Sequence, residues 1–130
     1  MTFTVHSVTF DCHQWEPLVD FWSRVSDFAE DPDNPNNPGD PMGALRAPSG
    51  LQLLFIPVPE DKQVKNRLHL DVTPTDTTRD EQVQLALDAG AALVADHRRE
   101  DGAGWVVLAD PEGNEFCVER SQAERDSAAT

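Results

Sequence analysis

The sequence predicts an α+β fold of two tandem βαβββ modules, whose strands form a curved, antiparallel-rich mixed sheet with a concave pocket. Three observations lead there. The stretch Ala47-Pro48-Ser49-Gly50-Leu51-Gln52-Leu53-Leu54-Phe55 is echoed by Asp110-Pro111-Glu112-Gly113-Asn114-Glu115-Phe116-Cys117-Val118. Each is a Pro-x-Gly turn running into an apolar strand, and Gly113 follows Gly50 by 63 positions in a chain of 130 residues. Each half also opens on a strand and continues with a helix. The later strands are joined by short turns, which imply antiparallel pairing with one helix covering one sheet face. At this length a single domain is expected over residues 1–120, with modules over about 1–59 and 64–120 and a flexible tail over 121–130.

In chain order, residues 5–12 read as a strand, because β-branched and aromatic residues are dense and no breaker interrupts them. Residues 14–28 read as a helix: Leu18, Phe21, Trp22 and Val25 fall at i, i+3, i+4 and i+7 and make one apolar stripe. Pro17 is tolerated there because it lies in the first turn. Residues 30–41 carry four prolines and form a loop, either a flap over a site or a surface connection. The second strand of the first module is therefore the weakest element. Residues 42–46 and 51–58 form a hairpin, with Pro48 and Gly50 at the second and fourth positions of a type I turn. After a polar joint over 59–65 the order repeats. Residues 67–72 are a strand and 78–89 a helix, with Thr78 and Glu81 fitting a capping box and Gly90 a C-terminal stop. Strands follow over 91–96, 105–109 and 115–119. The last two are joined by Asp110-Pro111-Glu112-Gly113, where Asp, Pro and Gly each hold a favoured turn position. Residues 121–130 are small and charged, lack an apolar face and read as a frayed tail.

The net charge of −14 repels nucleic-acid phosphates. It suits a cationic or neutral small ligand, and equally suits plain solubility. No apolar run approaches the roughly 20 residues of a membrane span. Residues 1–5 lack the basic start and apolar stretch of a signal peptide, so no membrane partner and a cytoplasmic location are the default expectations. Cys12 and Cys117 make neither a metal-finger spacing nor a disulfide framework.

Strand alternation separates a helix-facing set from a free set. Leu68, Leu70 and Val72 should face the helix, leaving Arg67, His69 and Asp71 on the other side. Phe116 and Val118 go inward, and Glu115, Cys117 and Glu119 go outward. Ser7, Thr9 and Asp11 are free in the first strand, and Gln52, Leu54 and Ile56 in the strand after Gly50. Two such sheets side by side would make a cup lined by these residues.

With Val8-Thr9-Phe10-Asp11, the helix from Leu18 to Trp22, Asn66-Arg67-Leu68-His69-Leu70-Asp71-Val72 and Asp110-Pro111-Glu112-Gly113-Asn114 in place, the chain resembles the vicinal oxygen chelate superfamily, the glyoxalase and bleomycin-resistance fold. The resemblance covers about residues 3–120. More narrowly, the chain is similar to the bacterial glyoxalase-like domain group. The resemblance implies paired βαβββ modules and a homodimer. In metal-dependent members it implies a divalent ion held by His, Gln or Glu from the first and last strands of each module. Carried over residue by residue, those positions fall on Ser7, Leu54, Arg67 and Cys117, a poor ligand set with a permanent guanidinium where the ion would sit. No metal and no cofactor are therefore expected. A displaced site of His69 with Glu119 or Glu115 is the alternative.

The functional expectation is metal-independent binding of a small organic molecule, or mild acid/base chemistry on it. Its ligand-binding residues are Ser7, Thr9, Gln52, Leu54, Arg67, His69, Asp71, Trp105, Glu115, Cys117 and Glu119. His69 is the candidate catalytic residue, although residues i and i+2 on a strand stand roughly 7 Å apart, which places Asp71 beyond a sure hydrogen bond. Arg67 either clamps a carboxylate or phosphate or ties down Glu115 or Glu119. Cys117 reads as a small buried thiol, and Trp105 either stacks on an aromatic ligand or packs. The competing functions are a metal-dependent lyase, isomerase or dioxygenase of the glyoxalase type, sequestration of a cationic drug by a bleomycin-resistance-like dimer, and an assembly module without a ligand.

Overall fold

A computed structural model of the chain describes residues 2–128. Two compact units, Met1–Lys62 and Gln63–Thr130, divide within the polar joint expected between the modules. Each holds a mixed sheet, and the class is α+β. Among the described residues no helix is long and apolar enough to cross a membrane.

The first unit runs β1 (Ser7–Cys12), α1 (Glu16–Val25), β2 (Gly43–Arg46) and β3 (Gln52–Pro57). Its sheet order is β1-β3-β2, with β1 parallel and β2 antiparallel to β3. The stripe on α1 is buried at Leu18, Phe21 and Trp22. Phe10 meets Trp22 edge-on at 5.6 Å and Phe55 at 5.4 Å between ring centroids. Burying side chains of this size stabilises by about 1.5–3 kcal/mol each. Gly43 belongs to the same packing. A Cβ there would lie 2.7 Å from the Trp15 ring and 2.8 Å from Val19, so a larger residue would push β2 off α1.

This module has three strands rather than four. Residues 30–41 supply none, and the missing pairing survives as one isolated bridge between Ala29 and Arg46. The two residues exchange backbone bonds of 2.9 and 2.8 Å. Beyond Ala29 the prolines withhold the N–H groups a ladder needs. Asn36 substitutes for a strand: its side-chain amide donates to the Ala44 carbonyl and accepts from the Ala44 N–H, both at 2.8 Å. The Trp15 indole Nε1 donates to the Asp40 carbonyl at 2.8 Å. The loop is thus held at both these points.

The second unit runs β4 (Leu70–Val72), α2 (Arg79–Asp88), β5 (Ala92–Asp96), β6 (Val106–Ala109), β7 (Glu115–Val118) and α3 (Gln122–Ala128). Its sheet order is β4-β7-β6-β5, with β4 parallel to β7 and the remaining pairs antiparallel. The capping box at α2 forms as predicted: Thr78 Oγ1 accepts from the Glu81 N–H and Glu81 Oε1 from the Thr78 N–H, both at 3.2 Å. The echoed turns are built alike. Gly50 N–H donates to the Ala47 carbonyl at 2.9 Å and Gly113 N–H to the Asp110 carbonyl at 2.8 Å. Both glycines have positive φ, 97° and 88°, where other residues are strained.

Two expectations fail here. The strand predicted from Arg67 begins only at Leu70, and Leu68 is 73% exposed instead of facing the helix. The register Leu70↔Phe116, extended backwards, would set Leu68 against Asn114. Asn114 itself lies in the turn with Asp110, ahead of β7, and the ladder begins at Leu70↔Phe116. The predicted tail forms α3, while residues 129–130 lie outside the described residues. Ser121 and Glu124 make a second capping box, with Glu124 N–H donating to Ser121 Oγ at 3.1 Å and Ser121 N–H to Glu124 Oε1 at 3.0 Å. Glu124 Oε1 also accepts the Arg79 N–H at 2.7 Å, docking α3 on the start of α2.

Candidate functional site

The parallel pairing of β4 with β7 brings Asp71 level with Cys117. Alternation puts both on the face opposite Phe116 and Val118, which are buried. His69 precedes β4 and has the same parity. Its Nε2 lies 3.3 Å from Asp71 Oδ1, closer than the strand spacing predicted. That spacing fixes the backbone, and His69 lies outside the ladder, so its ring reaches Asp71. One ligand atom each from His69, Asp71 and Cys117 falls within 4.8 Å of the other two.

The electrostatics set the state of this cluster. Burial raises the Cys117 thiol pKa above its ordinary value. The charge of Asp71 and a hydrogen bond to it raise it further, and the Lys65 ammonium draws it partly back. The thiol is thus held protonated, a donor to Asp71 rather than a nucleophile. Asp71 is the shared acceptor between a sulfur and an imidazole. With Nε2 turned to Asp71, Nδ1 is the ring nitrogen left to a ligand. The donor set of one nitrogen, one carboxylate oxygen and one sulfur suits a borderline-soft divalent ion such as Zn²⁺ better than Mg²⁺. The expected alternative partners of His69, Glu115 and Glu119, do not join it.

The remaining predicted residues fall as follows. Glu115 Oε2 accepts the Asn66 N–H at 2.9 Å. Glu119 donates its N–H to the Val72 carbonyl at 2.9 Å and lies 3.8 Å from Arg125 Nη2. Arg67 is exposed. Trp105 precedes β6, one strand beyond β7 from β4, and its ring lies against His97 with centroids 4.8 Å apart. In the first unit Ser7 pairs in register with Gln52 and Thr9 with Leu54, so these four share one sheet face as alternation predicted. The sequence reading missed Lys65. It sits in the polar joint, and nothing local announces that its charge reaches Cys117.

Residues 7–119 match the family model described as a glyoxalase-like domain. Among solved structures, the chain is similar to a glyoxalase/bleomycin resistance protein/dioxygenase family enzyme from Burkholderia phytofirmans PsJN, at 22% identity and a TM-score of 0.65, over 88% of this chain and 95% of that one. It is similar to the fosfomycin resistance protein FosX from Mesorhizobium loti, at 14% identity and a TM-score of 0.68, over 98% and 99%. It is also similar to a mutant FosX from Listeria monocytogenes complexed with Mn(II) and 1S,2S-dihydroxypropylphosphonic acid, at 13% identity and a TM-score of 0.70, over 98% and 99%. At these identities the likeness concerns the fold alone. No curated protein matches the chain.

Proposed function

The chain belongs to the glyoxalase-like domain family, and from that premise we propose that it binds a small organic molecule on the open face of β4 and β7, with His69 exchanging a proton with it. The observation that carries this reading is the convergence of His69, Asp71 and Cys117 within 4.8 Å. Asp71 holds the imidazole through Nε2, leaving Nδ1 to accept a proton from a bound group. The imidazolium so formed is stabilised by the same carboxylate. Cys117, kept as a thiol, supplies a weak donor and a polarisable surface rather than a bond-forming sulfur.

A second reading follows from the same three side chains. They would hold a divalent ion, and such an ion when bound supplies Lewis-acid polarisation of a ligand oxygen. The FosX complex contains Mn(II), an ion that prefers oxygen ligands, whereas the Cys117 sulfur favours zinc. Sequestration of a cationic drug draws support from the charge of −14, but at the cluster the Lys65 ammonium acts on Cys117 against the carboxylates of Asp71 and Glu119.

The test is a titration of ¹⁵N-labelled protein with small acids, alcohols and amines, alongside elemental analysis of protein purified without chelator. At least one compound is expected to shift the amides of Leu70–Val72 and Glu115–Val118, and His69→Ala to abolish the shifts without lowering the melting temperature. Shifts confined to other residues, or unaffected by His69→Ala, overturn the site. One equivalent of zinc replaces the first reading with the second.

A further inference from the structure

We propose that the ligand of this face carries an oxyanion, a carboxylate, phosphate or phosphonate, clamped by Arg67 with help from Lys65. The inference rests on the small-molecule reading above and names its chemical class. The chain has 10 Lys and Arg against 24 Asp and Glu, so a cation without an acidic partner stands out. Arg24 pairs with Asp20, Arg46 with Asp31, Arg79 with Asp80, Arg98 with Asp80 and Asp96, Arg99 with Asp101, and Arg125 with Glu119. Among the described residues Arg67 and Lys65 form no ion pair. Arg120 forms none either, but it continues the alternation of β7 on the Val118 side.

The carboxylates that sequence parity offers Arg67 are already engaged, Glu119 by Arg125 at 3.8 Å and Glu115 by the Asn66 N–H at 2.9 Å. The Asn66 bond also moors the segment carrying Lys65 and Arg67 at the start of β7, two residues before Cys117. Lys65 is near enough to act on the Cys117 thiol. The segment 65–69 thus carries an ammonium, a guanidinium and an imidazole next to Asp71, with the Glu119 charge also reaching Cys117. A guanidinium fork matches the two oxygens of a carboxylate or phosphonate. His69 then meets the polar group next to that oxyanion, and Asp71 rejects a second negative charge there.

Three probes of one size and different charge test this: benzylphosphonate, benzyl alcohol and benzylamine, each titrated into ¹⁵N-labelled protein at low salt. Benzylphosphonate is expected to shift the amides of residues 65–71 and 115–119, and to weaken as salt rises. Arg67→Gln should raise its dissociation constant at least roughly tenfold, the worth of one charge-assisted bond. Arg67→Lys should restore part of the affinity, and Arg24→Gln, which removes the same charge from α1, should change it less than about twofold. If benzyl alcohol or benzylamine shifts these amides as strongly and Arg67→Gln is without effect, the site stands and the oxyanion assignment falls. If none of the three shifts them, both fall.

Discussion

Replacing Arg79 by Met tests the least expected part of the second unit. Arg79 opens α2, where a long cation would ordinarily lie in solvent, yet it is 4% exposed. Its Nη1 donates to the carbonyls of Gly102, Ala103 and Gly104 at 3.0, 3.1 and 3.0 Å, and its Nε to Asp80 Oδ1 at 3.0 Å. Nη1 has two hydrogens for three acceptors, so one bond is shared and the set counts as two charge-assisted bonds. At about 1.5–3 kcal/mol each the gross effect is about 3–6 kcal/mol. The Gly102 carbonyl lies on an exposed turn and regains water when the guanidinium goes, which brings the expected loss to about 2–4 kcal/mol. Methionine keeps most of the stem volume and removes the donors. Urea unfolding followed by circular dichroism should show that loss with an unchanged slope. Amide exchange should quicken at Arg99 and Gly102, whose N–H groups close this turn on Ala103 and Arg99. Arg79→Lys should recover only part, because one ammonium cannot reproduce the fork. A loss below about 1 kcal/mol, with Arg99 protection intact, refutes the claim that this guanidinium holds the turn.

Three further outcomes are expected. Asp71→Asn should lower the Cys117 thiol pKa, because one of the groups that raise it is gone while burial remains; iodoacetamide modification followed against pH should begin at lower pH in the variant, and an unchanged profile contradicts the contact. Arg98 bonds hold the Asp96 carboxyl at about 2, below its ordinary 3.8, so Asp96 contributes stability that is full above about 3.8 and lost as pH falls to about 2. Asp96→Asn should therefore cost stability at pH 7 and much less at pH 2, where the folded carboxyl is about half protonated, as read from urea midpoints across that range. Phe55 is fully buried and stacks edge-on with Phe10; Phe55→Ala should cost about 3–5 kcal/mol in urea unfolding, and a loss under about 1 kcal/mol would place the core elsewhere.

The elements that were legible in the sequence are those whose cause is local. The spacing of Leu18, Phe21 and Trp22 dictates which side of α1 is buried, whatever it packs on. The Pro-x-Gly turns need a residue of positive φ at Gly50 and Gly113, and this chemistry reads off four letters. Where the cause is a partner far along the chain, local reading fails. Leu68 has the alternation of a strand residue, but it is exposed because its partner strand β7 starts only at Glu115 and pairing begins at Leu70. The helix α3 starts on the Ser121-x-x-Glu124 capping box. The lack of an apolar face misleads there, because part of the docking of α3 is polar, through Glu124 to the backbone of Arg79.

The same limit explains how the site was read. Parity correctly assigned His69, Asp71 and Cys117 to one face. The partner of Arg67 was another matter, since a chain with 24 acidic residues offers carboxylates everywhere. The two that parity favoured are both claimed by groups that sequence proximity does not reveal. Glu115 is taken by a backbone N–H across 49 positions, and Glu119 by Arg125, which α3 carries back to the end of β7. The helix read as a frayed tail supplies the cation that pairs with Glu119. Truncation before Ser121 should unpair Glu119, whose charge reaches Cys117, and weaken the binding of benzylphosphonate, as titration of the shortened chain would show.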